Sequence, residues 1–376
     1  MKRRRLKITI PLLHLLFVGF SYPSDVSLEK LLEENFFVPA PSGYEHFMVK
    51  KIQEHLPQGM FTEKDNLGSL YLIMGKGAKS LALLAPMDEV GYIVSGINEE
   101  GYLRLDRVVP APHMLYDSFH LGQPMLIWTE KGAVSGVLAI PSTHILSREG
   151  RQQLQRFSLD QAYLDIGAQS KAEVNKKGVR MLDAVTPLPE FTRLARDRIA
   201  GASLGNKICA ALLLHQAKKT DAAKLDKQTT FVWMAQTKFF ARRSRPRAAL
   251  GALRVRRNLN PKSVLIVGTV PVERGNQEGP SLGKGPVLAY PGETQGRIPD
   301  LQGEIMWLEF NKVIQLQKFP NFESSLMSPF LSEETEVLTL GLPVLFPSTP
   351  VEIVDLKDVQ ALEKLLSILL DEGVKK

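Results

Sequence analysis

The pentapeptide GASLG, residues 201–205, has the spacing of a nucleophile elbow, in which a sharp turn between strand and helix presents a serine hydroxyl, here that of Ser203. Its surroundings argue against that chemistry. Residues 195–200 are charged and not strand-like, and an elbow's partners follow in the order serine, acid, histidine. The last histidine, His215, falls inside the helix predicted directly after the motif, so no later loop supplies an imidazole base. Metal chemistry asks for clustered His, Asp, Glu or Cys with an open coordination position. The histidines stand singly, at His14, His46, His55, His113, His120, His144 and His215, with no HxH, HExxH or HxxxH. A lone histidine is usually a surface or core residue. Gly283, Lys284 and Gly285 lack the GxxxxGK[ST] or GxGxxG frame of a phosphate cradle. The one cysteine, Cys209, excludes an intrachain disulfide, a zinc ribbon and a CxxC redox pair. One acidic pair is suggestively placed: Asp88 and Glu89 follow an apolar run in LLAPMDEVGYIV.

The elements around these residues alternate. Leu28, Leu31, Leu32 and Phe36 recur at helical spacing within 27–37, and a second helix is predicted over 45–56 after the turn at Pro41, Ser42 and Gly43. Strands are predicted over 69–74, 80–85 and 90–97, the second so apolar that both faces must be buried. From 101 to about 183 the pattern becomes short strands parted by Gly and Pro, including 124–128 and 133–140, as in a small β-rich domain. Helices over 206–217, 303–315 and 357–372 and strands over 229–234, 263–267 and 342–346 follow. The expected fold is an α/β sandwich whose sheet is assembled from both sides of the insert. Its expected units are 25–98 with 198–376, and an insert over 99–197.

The charge of +7, from 47 Lys and Arg against 40 Asp and Glu over 376 residues, is unevenly spread. Lys2, Arg3, Arg4, Arg5 and Lys7 precede an apolar run over 8–20 and a polar exit at Ser21, the layout of an export signal. That run is shorter than the roughly 20 residues of a spanning helix, and no Cys follows for lipoprotein processing. Loss of 1–21 removes five positive and no negative charges and leaves +2, so a secreted or periplasmic protein with no transmembrane span is expected. A second basic stretch holds Lys238, Arg242, Arg243, Arg245, Arg247, Arg254, Arg256 and Arg257. Lys238, Arg242, Arg243, Arg245 and Arg247 are candidate anion-binding residues. With only Phe239 and Phe240 available for stacking, the stretch reads as a solvated basic face, and no nucleic-acid partner is expected.

The segment LLAPMDEVGYIV resembles the HMDEVGF motif of the glutamyl and deblocking aminopeptidases, the tetrahedral-aminopeptidase or endoglucanase-M-like family of cocatalytic zinc peptidases. PSGYE at 41–45, DNLGSL at 65–70, KGAVSGVLAIPSTHIL at 131–146, YLDIGAQS at 163–170 and PVEIVDLKDVQALEKLL near the C-terminus extend the likeness. The resemblance implies an α/β zinc-peptidase domain interrupted by a small β-barrel that dimerises, so a homo-oligomer is expected. It also implies a site in which ligand and base positions have changed. The motif's leading zinc histidine falls on Pro86, the bridging aspartate of LDNR on Gly205, and the glutamates of QEE, one the general base and one a ligand, on Thr237 and Lys238. The ligand aspartate of the next strand falls on Gly268 and the last histidine on Ser348. Only Asp88 is kept, and its family role is to orient the histidine replaced by Pro86. A dinuclear site lowers the pKa of a bridging water and passes its proton to a carboxylate. The expectation is therefore an inactive, secreted relative of the aminopeptidases that holds no zinc and no other cofactor, and that works by binding a peptide or by assembly. Two alternatives stand beside it. One is an active metallo-aminopeptidase with a site rebuilt from Asp88, Glu89, His113, His120 or His144, and the other an anion binder using residues 238–257.

Overall fold

The computed structural model describes residues 28–77, 80–142, 144–153, 157–241, 247–275, 279–292, 300–332 and 334–371. The expected export signal at 1–21, and Arg242, Arg243 and Arg245, lie outside the described residues.

The larger unit is built on a mixed sheet. Its strands run in the order Thr62–Lys64, Leu70–Met74, Gln228–Met234, Ser80–Pro86, Ser263–Val272, Glu336–Leu345, Glu352–Asp355, Arg198–Gly201 and Thr192–Leu194. Val287–Ala289 joins Glu336–Leu345 from the side and also pairs with Gln317–Phe319. The four central strands are mutually parallel. A parallel sheet needs cover on both faces, and Ser80–Pro86 shows how the sequence supplies it. Leu81, Leu83 and Ala85 enter one core cluster, with the helices Leu28–Phe36, Leu204–Lys219 and Leu356–Asp371. Ala82 and Leu84 enter another, with Val255 of the helix Leu250–Asn258, and with Met327 and Phe330. Successive side chains point to opposite faces, so an unbroken apolar run feeds both layers. Leu204–Lys219 is buried nearly all round, because sheet and helices enclose it together.

The insert is a closed barrel of six strands. Around the barrel they run Tyr92–Ile97, Leu103–Arg107, Tyr163–Asp165, Gly132–Ala139, Pro124–Thr129 and Ala184–Pro187, the last pairing back to the first. Tyr92, Val94, Leu103, Leu105, Met125, Ile127, Leu138, Leu164 and Val185 fill its interior at alternate positions. Closure leaves no free strand edge. The α/β fold with an inserted barrel is thus as the sequence implied.

Some elements differ from expectation. Arg198–Gly201 is a strand despite its charged approach, because it pairs with Glu352–Asp355 and sets Arg198 3.5 Å from Asp355. The helix predicted over 303–315 is Asp300–Phe310, and Gln317–Phe319 beyond it is a short strand. The strand predicted over 342–346 begins much earlier and is Glu336–Leu345. Among the described residues no helix is long and apolar enough to cross a membrane.

Candidate functional site

Open α/β sheets bind ligands beyond the carboxyl ends of their parallel strands. Here the chain leaving Ser80–Pro86 carries Asp88, and the chain leaving Gln228–Met234 carries Thr237 and Lys238. A cleft beside them is lined by Val90, Tyr116, His120, Ala202, Ser203, Asn206, Lys238, Thr269, Val344, Ser348 and Glu352. Tyr116 and His120 come from the connection between barrel strands Leu103–Arg107 and Pro124–Thr129, so both units build one wall each.

Two buried carboxylates organise the cleft. Asp88, fully buried, accepts the hydroxyls of Ser42 and Thr237 and the backbone amide of Lys238 at 3.0 Å, and its backbone carbonyl accepts the Asn206 side-chain amide at 2.9 Å. With no histidine at Pro86 to orient, it fixes the turn that carries Thr237 and Lys238. Glu352 accepts the backbone amides of Gly205 at 3.0 Å and Ser348 at 2.8 Å, which ties together the loop and the helix start. Burial raises its pKa, against the lowering effect of those amides and of the Lys238 charge. Behind it, Glu89 and Lys207 form a buried ion pair at 3.1 Å, and Lys207 also donates to the Phe36 carbonyl at 2.9 Å. Glu45 accepts the Gln236 amide at 2.7 Å, and burial together with the Asp88 charge pushes its pKa up to about 7.

The structure therefore gathers Thr237, Lys238, Gly205 and Ser348 around one cleft through Asp88 and Glu352. Pro86 ends its strand in register with Met234, two residues before Asp88. Gly268 lies in register with Gly341, one residue before the cleft-lining Thr269. Of the histidines in the insert, His120 reaches the cleft, while His144 is exposed in a turn. Arg247 stacks on the Phe240 ring at 3.6 Å and does not line the cleft, so it is separated from Lys238 in environment. Glu352, Asn206 and Tyr116 were not singled out from the sequence. The signal for Glu352 was its place in STPVE, where a glutamate ends the stretch matched to the family's last motif.

The GASLG motif does have the preceding strand that its sequence context lacked, together with the helix expected after it. Arg198–Gly201 leads into it, Ser203 sits at φ 51°, and Leu204–Lys219 follows. His120 shares the cleft with Ser203, yet its Nε2 is buried without a hydrogen-bond partner. The contact between nucleophile and base that a triad requires is therefore not made.

Whether the cleft fits a zinc pair can be tested at the position of the bridging aspartate. A Cβ built on Gly205 would lie 2.5 Å from Thr269 Cγ2 and 3.0 Å from Val344 Cγ2, so neighbouring methyl groups occupy the space that an aspartate would enter. Pro86, Gly205 and Gly268 offer no side-chain ligand, and Lys238 carries a positive charge toward the same region. The side chains present do not reproduce the family's ligand set, and no step is derived through a metal.

The family profile for M42 glutamyl aminopeptidases matches residues 68–365. The lysyl aminopeptidase of Pyrococcus furiosus is 26% identical over 353 residues, covering 92% of this chain and 96% of that protein. Among solved structures, the TET1 peptidase of Pyrococcus horikoshii superposes with a TM-score of 0.77 at 23% identity, over 92% of this chain and 100% of that one. An aminopeptidase from Desulfurococcus kamchatkensis gives a TM-score of 0.74 at 20% identity, over 92% and 95%. These relatives correct the expectation that no cofactor is used, because they are metallo-aminopeptidases that use metal ions. With a profile that spans most of its length, this chain belongs to the M42 glutamyl aminopeptidase family.

Proposed function

We propose that the cleft takes peptide chains and that the protein acts on their N-terminal ends, as an aminopeptidase with a rebuilt site. The observation that carries this reading is the convergence of Lys238, Asn206, Ser348 and Glu352 from the sheet unit with Tyr116 and His120 from the barrel on a single cleft. Family membership and the nearly full-length similarity to a lysyl aminopeptidase support the same activity. The chain's own residues can bind and orient a peptide: Asn206 and Glu352 offer polar groups beside an ammonium and an imidazole. The test is release of the N-terminal residue from aminoacyl-anilides and short peptides, run after chelation and again with Zn²⁺, Co²⁺ or Mn²⁺ added. Release sustained by the purified protein supports the reading.

A second reading is favoured by the methyl groups that crowd Gly205. In it the fold is kept for peptide binding or assembly without hydrolysis. Peptide binding by calorimetry with no release under any metal condition is its signature, and absence of both binding and release defeats both readings.

Export and self-association complete the proposal. Export is supported by the basic and apolar layout of residues 2–20, and the N-terminal residue of the mature protein tests it. Homo-oligomerisation is supported by the structural neighbours, one of which forms a dodecamer and another a tetrahedron or octahedral shell. Exposed Met114, Leu115, Phe119 and Ile145 on the insert provide apolar surface for it. Sedimentation velocity measures the assembled mass.

A further inference from the structure

The carboxylates at the cleft already have their donors. Glu352 takes two backbone amides, Asp88 takes two hydroxyls and an amide, and Glu89 is paired with Lys207. Lys238 differs. Its backbone amide serves Asp88, while its ammonium lines the cleft and forms no ion pair with a described carboxylate. Glu352 senses this charge without coming into contact with it.

A second group in the same cleft lacks a partner. His120 is only 2% exposed, and its Nε2 has no hydrogen-bond partner. Burial pushes its pKa down to about 4, so the ring is neutral at ordinary pH and offers one N–H. A third contribution comes from the chain at Ser203, which lines the cleft at the start of the 16-residue helix Leu204–Lys219 and makes no side-chain capping bond. Helix amino ends carry partial positive charge, and since Glu352 already takes the Gly205 amide, it is this field that the helix start adds to the cleft. An unpaired ammonium, a buried donor and a helix start on one cleft are complementary to a small anion. Within a cleft that takes peptides, that anion is a carboxylate.

We infer that the cleft receives a carboxylate of its peptide ligand, held by the Lys238 ammonium, with His120 Nε2 and the helix start at Ser203 completing its surroundings. This rests on the peptide-binding reading and adds the charge of the ligand to it. Where the family resemblance places a glutamate, Lys238 inverts the charge, so the class of group attracted is inverted as well. The carboxylate is the free C-terminus of a short peptide.

Calorimetric titration of the full chain with three ligands tests the inference. Reduced-bond alanyl-alanine, which cannot be hydrolysed, carries a free carboxylate; its C-terminal amide carries none; the same amide with Glu in place of the first Ala carries only a side-chain carboxylate. Hydrogen bonds to charged groups predict a roughly ten- to hundredfold preference for a carboxylate ligand over the plain amide. Preference for the free acid supports the inference, and preference for the Glu ligand alone overturns it. Lys238→Met should bring the ratio of free-acid to plain-amide affinity to about one, whereas Lys238→Arg should keep it within a few-fold. Both variants retain the backbone amide that Asp88 uses, and thermal melts confirm their folding. A preference that survives in Lys238→Met overturns the inference. Equal binding of all three ligands overturns it while leaving peptide binding intact, and no binding of any ligand defeats the peptide reading itself.

Discussion

Gly205 and Thr269 are packed so closely that a Cβ on the glycine would come within 2.5 Å of Thr269 Cγ2. Real side chains do not approach so near, and the position lies on a buried helix with Val344 on its other side at 3.0 Å. Overpacking of this kind costs about 1–3 kcal/mol, and a buried carboxylate adds to it. Gly205→Asp should therefore lower stability by at least about 2 kcal/mol in urea unfolding. Thr269→Ser removes the offending methyl and should recover a measurable part of that loss in the double variant. Strict additivity of the two changes would show that the clash does not exist.

Lys207 and Glu89 predict a second asymmetry. Both are nearly inaccessible, 3.1 Å apart, and each has a further bond: Lys207 to the Phe36 carbonyl, and Glu89 from the Ala40 amide at 2.8 Å. Removing one partner of a buried pair leaves an uncompensated charge and typically costs about 3–5 kcal/mol. Lys207→Met should fall in that range. Lys207→Met with Glu89→Gln should cost less than the single change, because no bare carboxylate remains. Chemical denaturation of the four combinations reads the coupling directly.

Much of this was legible before any coordinates. The apolar run at 80–85 announced a strand buried on both faces, and the Gly- and Pro-parted stretch after 101 announced the β-rich insert; both follow from local periodicity. Arg198–Gly201 escaped because its strand character comes from pairing with Glu352–Asp355, more than 150 positions away. The cleft was half legible. Lys238 and Ser348 are named from motif positions, and Ser348 meets Glu352 only 4 positions further on, but the bonds from Lys238 to Asp88 and from Gly205 to Glu352 span 150 and 147 positions, which no local pattern encodes. His120 could be named as a histidine of the insert. Only the barrel's placement against the sheet unit puts it in the cleft.

Asp88 supplies a third prediction. Its carboxylate accepts from Ser42, Thr237 and the Lys238 amide, and it has no exposed surface. An amide in its place turns one acceptor into a donor that faces donors, leaving buried groups unsatisfied at about 1–3 kcal/mol each. Asp88→Asn should thus destabilise the fold by about 2–4 kcal/mol. It should also speed amide hydrogen exchange at Lys238, the one backbone donor of the three. A variant with wild-type stability and unchanged exchange there would mean that the carboxylate does not hold this turn.

Glu45 sets the expected pH dependence. Burial and the neighbouring Asp88 charge raise its folded pKa from 4.5 to about 7, while its carboxyl still accepts the Gln236 amide. A raised folded pKa means that the native state holds the proton more tightly than the unfolded chain. The stability that this provides is fully present below pH 4.5 and is lost as pH rises through 7, a change of a few kcal/mol at 1.36 kcal/mol per unit. Glu45→Gln is neutral at every pH and keeps an oxygen for the Gln236 amide. The variant should match the wild type near pH 4, exceed it in stability near pH 8, and show a flatter profile between. Because Asp88 is one source of the shift, part of the same flattening should accompany Asp88→Asn. Parallel stability profiles for Glu45→Gln and wild type across pH 4.5 to 7 would place the titration elsewhere.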